Sequence, residues 1–324
     1  MASFKFTDVY IKDAFSIAGL LESEGQIHKY DLTVDDYYYG EKSLMDAEIK
    51  MQRVVLDNLF RRNKLNDKDH LLIGGDLSNQ LTVTNFSAKN FNVPFLGVYN
   101  ACATFLESMI LASHFVESKK IKNATIITSS HNLNAERQFR FPIEYGAPKP
   151  NTTTFTATGA VGAVLSNVKS SIKVESATVG RVLDYEQKDA SQMGAVMTPA
   201  AADVFINHLT DLKRDAHYYD AILTGDLGSI GAKIFEEYLN VNYDIHLSHY
   251  MDAGCEIYAK SQEVYSGASG PVTLPLVLFN KILKCGKYKK ILVIATGSLH
   301  SKDTTNQKKT IPSIAHAVSL EVME

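Results

Sequence analysis

Cys102 is the residue whose type and setting first suggest chemistry. It lies in PFLGVYNACATFLESMILASHF, after an apolar run that reads as a strand and at the start of a segment that reads as a helix. A thiol at a helix N-terminus faces unpaired N–H groups and the positive end of the helix dipole. Both favour the thiolate, which is the reactive form. Small neighbours, Ala101 and Ala103, allow a tight strand-to-helix turn. The competing reading is a buried cysteine that packs as a small hydrophobe. Ser129-Ser130-His131 ends a second apolar run, ATIITSSH. Ligands of parallel α/β sheets gather at such strand ends, and His131 could hold a carboxylate, move a proton, or simply bond to backbone. Arg137 and Arg140 follow, three apart, and would share one face of a helix. They could clamp a carboxylate or phosphate, or pair with Glu136 and Glu144. Asp76 and Asp226 each follow a strand in Gly-Asp-Leu, where an aspartate can cap the next helix. Ser78, Asn79 and Gln80 add polar groups beside Asp76.

Other motifs carry less. GDLGSIGAK is neither a dinucleotide fingerprint nor a phosphate loop. His246 and His249 lack companions for a zinc site. Tyr37–Tyr39 reads as a packed or interface patch, and LKCGKYKK and NQKKT read as solvated basic surface.

The elements that must position these residues repeat. HLLIGGDL (70–77) matches DAILTGDL (220–227), and ATIITSSH matches ILVIATGSLH (291–300). An amphipathic segment precedes each copy of the second pair, and a small-residue strand follows it, GAVGAVLS (159–166) or IAHAVSLE (314–321). Three features in one order imply a duplicated α/β unit, with halves at 1–167 and 168–324. Short continuous apolar runs are strands buried on both faces, and helices alternate with them, so the sheets are parallel and covered. Each half reads strand, helix, strand, helix, strand, strand. Helices are expected over Ser43–Arg62 and over Ala200–Leu212, the latter opened by Thr198-Pro199. Residues 132–155 and 241–268 read as long polar loops of the kind that carry function.

Composition bounds the rest. With 324 residues, 33 basic and 36 acidic, the net charge is −3. That disfavours a nucleic-acid partner. No apolar run approaches the length of a membrane span, and the first residues lack the apolar core of a secretory signal. Three cysteines do not make a disulfide framework, so a reducing compartment is expected. Membrane attachment would come through a partner.

Cys102 after PFLGVYN, the duplication, and YSGASGPVT (265–273) together resemble the thiolase superfamily, which includes thiolases and β-ketoacyl synthases. That resemblance implies two α/β halves in a five-layer αβαβα arrangement. NACATFLES, TSSHNLNAERQFRFPIEYG, KPNTTTFTATGA, SATVGRVLD, MGAVMTPAAAD, ILTGDLGSIG and IPSIAHAV are similar to the stage V sporulation protein AD family of endospore formers. The similarity runs from about residue 45 to the C-terminus. It implies a binding role: dipicolinic acid, free or as its calcium complex, held in the former thiolase cleft and passed to membrane proteins of the stage V sporulation A system. The chain would be peripheral to the spore inner membrane through those proteins. The implied binding set is Asp76, Asn79, Cys102, Thr104, Ser129, Ser130, His131, Arg137 and Arg140, with no metal or cofactor, and a homodimer is expected. The thiolase Gly-His-Pro histidine has no counterpart at Gln262–Tyr265, and ILVIATGSLH lacks the second catalytic cysteine. His131, His300 or His316 could stand in for the missing base. The alternative is an acyltransferase or condensing enzyme with Cys102 as nucleophile.

Overall fold

The structure, a computed structural model, describes residues 2–65, 69–139 and 149–323. The first half runs β1 (Tyr10–Ala18), α1 (Leu44–Asn63), β2 (His70–Gly75), α2 (Thr82–Ala88), β3 (Phe95–Gly97), α3 (Thr104–Glu117), β4 (Asn123–Ser130), α4 (Asn132–Phe139), β5 (Gly159–Ser166). The second runs β6 (Ile172–Val179), α5 (Met193–Leu212), β7 (Ala221–Thr224), α6 (Gly228–Tyr243), β8 (Tyr250–Asp252), α7 (Thr273–Val277), β9 (Lys290–Ser298), α8 (Lys302–Asn306), β10 (Ser313–Val322). Neighbouring strands follow the order β8-β7-β9-β10-β6-β1-β5-β4-β2-β3. Read outward from the β6–β1 junction, the two halves are the same arrangement. The matched sequence runs occupy equivalent positions: β2 with β7, β4 with β9, β5 with β10. In each half three strands are parallel, and the fifth strand is antiparallel to both of its neighbours.

Alternation along the strands sets the layers. In β4, Ile126 faces the central core with Phe105 and Met109 of α3, whereas Ile127 faces Met51, Val55 and Leu59 of α1. In β9, Val293 faces the centre and Leu292 and Ile294 face Val204 and Phe205 of α5. Helix α3 touches β2, β4 and β5 of its own half and β6, β9 and β10 of the other. Helices therefore cover both outer faces and fill the middle. Apolar residues at Leu44, Ala47, Met51, Val55 and Leu59 explain why α1 forms and which side it buries, and Ser43 caps it by accepting the Asp46 N–H.

Three expectations are corrected. Among the described residues each half holds at least five strands and four helices, more than the pattern read from sequence. The segment 241–268 contains β8, only three residues long, and 132–155 contains α4. Helix α5 begins at Met193, so Pro199 lies inside it. Pro199 has no N–H for the Ala195 carbonyl. Packing offsets the loss: Thr198 Oγ1 lies 2.8 Å from the Gly194 carbonyl and 3.1 Å from that of Gly231. Gly194 and Gly231 let α5 and α6 meet backbone to backbone.

Candidate functional site

Cys102 sits where β3 turns into α3. Ala101 takes a left-handed conformation (φ +48°), and Ala101–Ala103 form a 3₁₀ turn. Such a conformation is strained for a residue with a Cβ. Thr104 holds the turn: its Oγ1 donates to the Ala101 carbonyl (2.7 Å) and accepts the Asn100 N–H (3.0 Å). The Thr104 side chain is fully buried in this role.

Cys102 is half-buried, and its thiol lies beside the carboxylate of Asp226, which comes from the end of β7 in the other half. Asp226 also accepts the Thr296 hydroxyl (2.8 Å) and the Gly270 N–H (3.1 Å). Burial pushes the Asp226 carboxyl up to about 6. Burial first, and Asp226 second, push the Cys102 thiol well above its ordinary value. The N–H groups of Gly270 and Cys102 act the other way and are outweighed. The helix end thus fails to make a thiolate here, contrary to the local sequence argument, because burial and a neighbouring negative charge both oppose it.

Gly270 lets this happen. Its φ is +103°, and a Cβ there would lie 2.9 Å from Ser130 Oγ. Ser130 donates to the Ala157 carbonyl (2.7 Å) on the inner face of β4. His316 reaches the turn from β10, with Nε2 2.8 Å from the Asn100 amide. Its imidazole is pushed down to about 4 by burial. The ionisable group that acts on Cys102 is a carboxylate, not one of the three imidazoles that could have replaced a missing base.

Beside this turn opens a cavity of about 560 Å³ between the halves. Asn79 and Gln80 follow β2, Tyr99 follows β3, Gln138 and Phe139 end α4, and Leu299 to Thr304 follow β9. Gln138 fixes the first wall by accepting the Asn79 N–H (2.9 Å) and donating to the Leu77 carbonyl (2.6 Å). The Tyr99 phenol on the cavity wall is pushed up to about 12 by burial, then by Cys102 and Asp76.

A model of the family described as stage V sporulation protein AD (SpoVAD) matches residues 2–321. The chain belongs to the stage V sporulation protein AD family. It is 39% identical over 319 residues to stage V sporulation protein AD of Bacillus subtilis (strain 168), covering 97% of this chain and 94% of that one. Among solved structures it is similar to cerulenin-bound OleA of Xanthomonas campestris, with a TM-score of 0.64 at 14% identity over 98% of this chain and 100% of that one. A second OleA structure, of a glutamate-to-glutamine variant, gives 0.63 at 14% identity over 98% and 99%. The fold is thiolase-like. Among the described residues, no helix is long and apolar enough to cross a membrane.

In this SpoVAD-family chain the residues singled out from sequence fall into separate groups. Cys102, Thr104 and Ser130 lie at the turn or against Gly270, and Asn79 lines the cavity. Asp76 and Ser129 lie on the outer side. Asp76 is fully buried and accepts the Ser78 N–H (2.7 Å), the Thr84 N–H (2.8 Å) and the Thr84 hydroxyl (2.6 Å), so it caps α2. Ser129 donates to Glu48 (2.8 Å) and accepts from Gln52 (2.8 Å). Burial, then Asp76, push the Glu48 carboxyl up to about 7. His131 turns to the Tyr37 carbonyl, 2.8 Å from Nε2. Arg137 is exposed on α4, Glu136 pairs with Lys149 at 2.9 Å, and Arg140 and Glu144 lie outside the described residues. Gly270, Tyr99, Gln138 and Lys302 were not singled out from sequence, and Asp226 was named there only as a possible helix cap. The repeated Gly-Asp-Leu was a signal for Asp226, but it marked both aspartates alike.

Proposed function

We propose that this chain is a non-catalytic SpoVAD-family protein that binds dipicolinic acid, free or as its calcium complex. It would take the ligand in the cavity between its halves and support its movement into and out of the spore with membrane proteins of the stage V sporulation A system. The observation that carries this reading is the pairing of Cys102 with Asp226. A neutral thiol is a poor nucleophile, so its place beside Asp226 argues against acyl transfer and for a binding role. The cavity suits a small flat ligand: Tyr99, Phe139 and Leu299 offer apolar surface, and Asn79, Gln138, Ser301 and Lys302 offer polar groups. The proposal includes a homodimer formed along the edge strand β3, where Leu96 is 40% exposed.

Calorimetric titration with dipicolinate, with and without calcium, tests the binding role. Saturable heat that weakens in Tyr99→Ala and Lys302→Ala supports it. Absence of binding by the intact chain, together with stoichiometric thioester formation at Cys102 from an acyl-CoA, would replace it with the condensing-enzyme reading.

A further inference from the structure

Two turns that hold equivalent places in the two halves are both basic. The turn into β4 reads Lys119-Lys120-Ile121-Lys122, and the turn into β9 reads Lys284-Cys285-Gly286-Lys287-Tyr288-Lys289-Lys290. Neither contains an acidic residue. Strand register puts them on one line across the sheet: Asn123 pairs with Ser166, Ser166 with Tyr10, Tyr10 with Lys173, Lys173 with Glu321, and Glu321 with Lys290. This is the N-terminal end of the parallel strands, whereas the cavity beside Cys102 lies at their C-terminal end.

Each turn borders a groove. One, of about 260 Å³, is lined by Lys12, Lys64 and Lys122 with a single carboxylate, Asp69. The other, of about 500 Å³, is lined by His217, His249, Lys287, Lys289 and Tyr288. Several acidic groups at this end are engaged within the fold, though Asp69 in the first groove has no side-chain partner among the described residues. Asp220 Oδ2 accepts the N–H groups of Lys289 (2.7 Å) and Lys290 (2.8 Å). Glu175 pairs with Arg214, Asp13 with Arg62 (3.0 Å) and Asp8 with Lys119 (3.8 Å). Among the described residues, Lys12, Lys64, Lys120, Lys122 and Lys287 form no ion pair. The positive end therefore stands out on a chain whose net charge is −3.

We infer that this end is a docking surface for an anionic lipid bilayer. The cations are mostly lysines on flexible stems, which act as point charges and suit many headgroups in a plane more than one shaped ligand. They are spread over both halves, as a plane would meet them. Tyr288 lines the second groove beside them, and tyrosine suits the headgroup level. Docked this way, the cavity faces away from the bilayer.

The test is co-sedimentation of the intact chain with vesicles of phosphatidylcholine alone or mixed equally with phosphatidylglycerol. Binding to the mixed vesicles only, released by salt, is expected. Lys120→Glu, Lys122→Glu and Lys287→Glu should each weaken it, by about five-fold or more per lysine. Lys308→Glu and Lys309→Glu, at the opposite end, should leave it unchanged. Failure to bind the mixed vesicles at low salt overturns the inference. So does equal loss in the Lys308 and Lys309 variants. Retention on polyglutamate but not on vesicles overturns it in favour of an acidic protein.

Discussion

A buried thiol beside a carboxylate is held in its neutral form. Cys102 should therefore be alkylated slowly at neutral pH, well behind the exposed Cys285. Asp226→Asn removes the neighbouring charge while keeping an acceptor, so it should lower the Cys102 pKa and speed its alkylation. Iodoacetamide labelling followed by peptide mass spectrometry reads both rates. Equal rates for Cys102 and Cys285 in the unaltered chain would contradict this account. At this scale the sequence was only partly legible. Cys102 could be found from its place between an apolar run and a helix. Its partner could not, because Asp226 and Asp76 share one local sequence and differ only in what the fold brings to them. Ser129 and Ser130 are adjacent in sequence, yet strand alternation sends them to opposite sides of β4.

Two glycines show how elements position the site. Gly270→Ala would force a Cβ into a left-handed conformation and against Ser130 Oγ. We expect a loss of about 1–3 kcal/mol in stability, together with weaker dipicolinate binding, since this residue's N–H also holds Asp226. Gly194→Ala would place a Cβ 2.3 Å from the Leu227 carbonyl, where α5 meets α6. It should cost about 1–3 kcal/mol and leave ligand affinity unchanged. Urea unfolding and titration of the two variants separate these effects. The long elements were legible because their buried positions recur at helical or continuous-strand spacing, as in α1 and β4. Strand β8 was not: Tyr250-Met251-Asp252 is too short and too polar to register. The start of α5 was misplaced because Pro199 looks like a first-turn residue and is in fact tolerated by packing.

For the whole molecule, buried ionisable groups set how stability varies with pH. Burial pushes the carboxyls of Glu22, Glu48 and Asp252 up to about 7. Each holds its proton more tightly folded than unfolded, so each contribution is present below about pH 4.5 and is lost as pH rises towards 7. His208 and His316 are pushed down to about 4, so they oppose this slope up to about pH 6.5 and not beyond. The melting temperature should therefore fall as pH rises from 6.5 through 7, and Glu48→Gln should flatten that fall. A melting temperature that climbs over this range would rule the account out. The duplicated plan was legible because three paired motifs recur in one order, and the repeated strand order carries them. What joins the two copies was not legible. Ala2–Lys5 pair with β6, and Ser3 bonds Thr178, 175 positions later, before the chain continues into β1. On a ribosome, Ser3 meets Thr178 only after the 175 positions that separate them have been made. A nascent first half would meanwhile carry an unpaired strand, so synthesis has a window in which the chain is open to wrong pairing or to a chaperone.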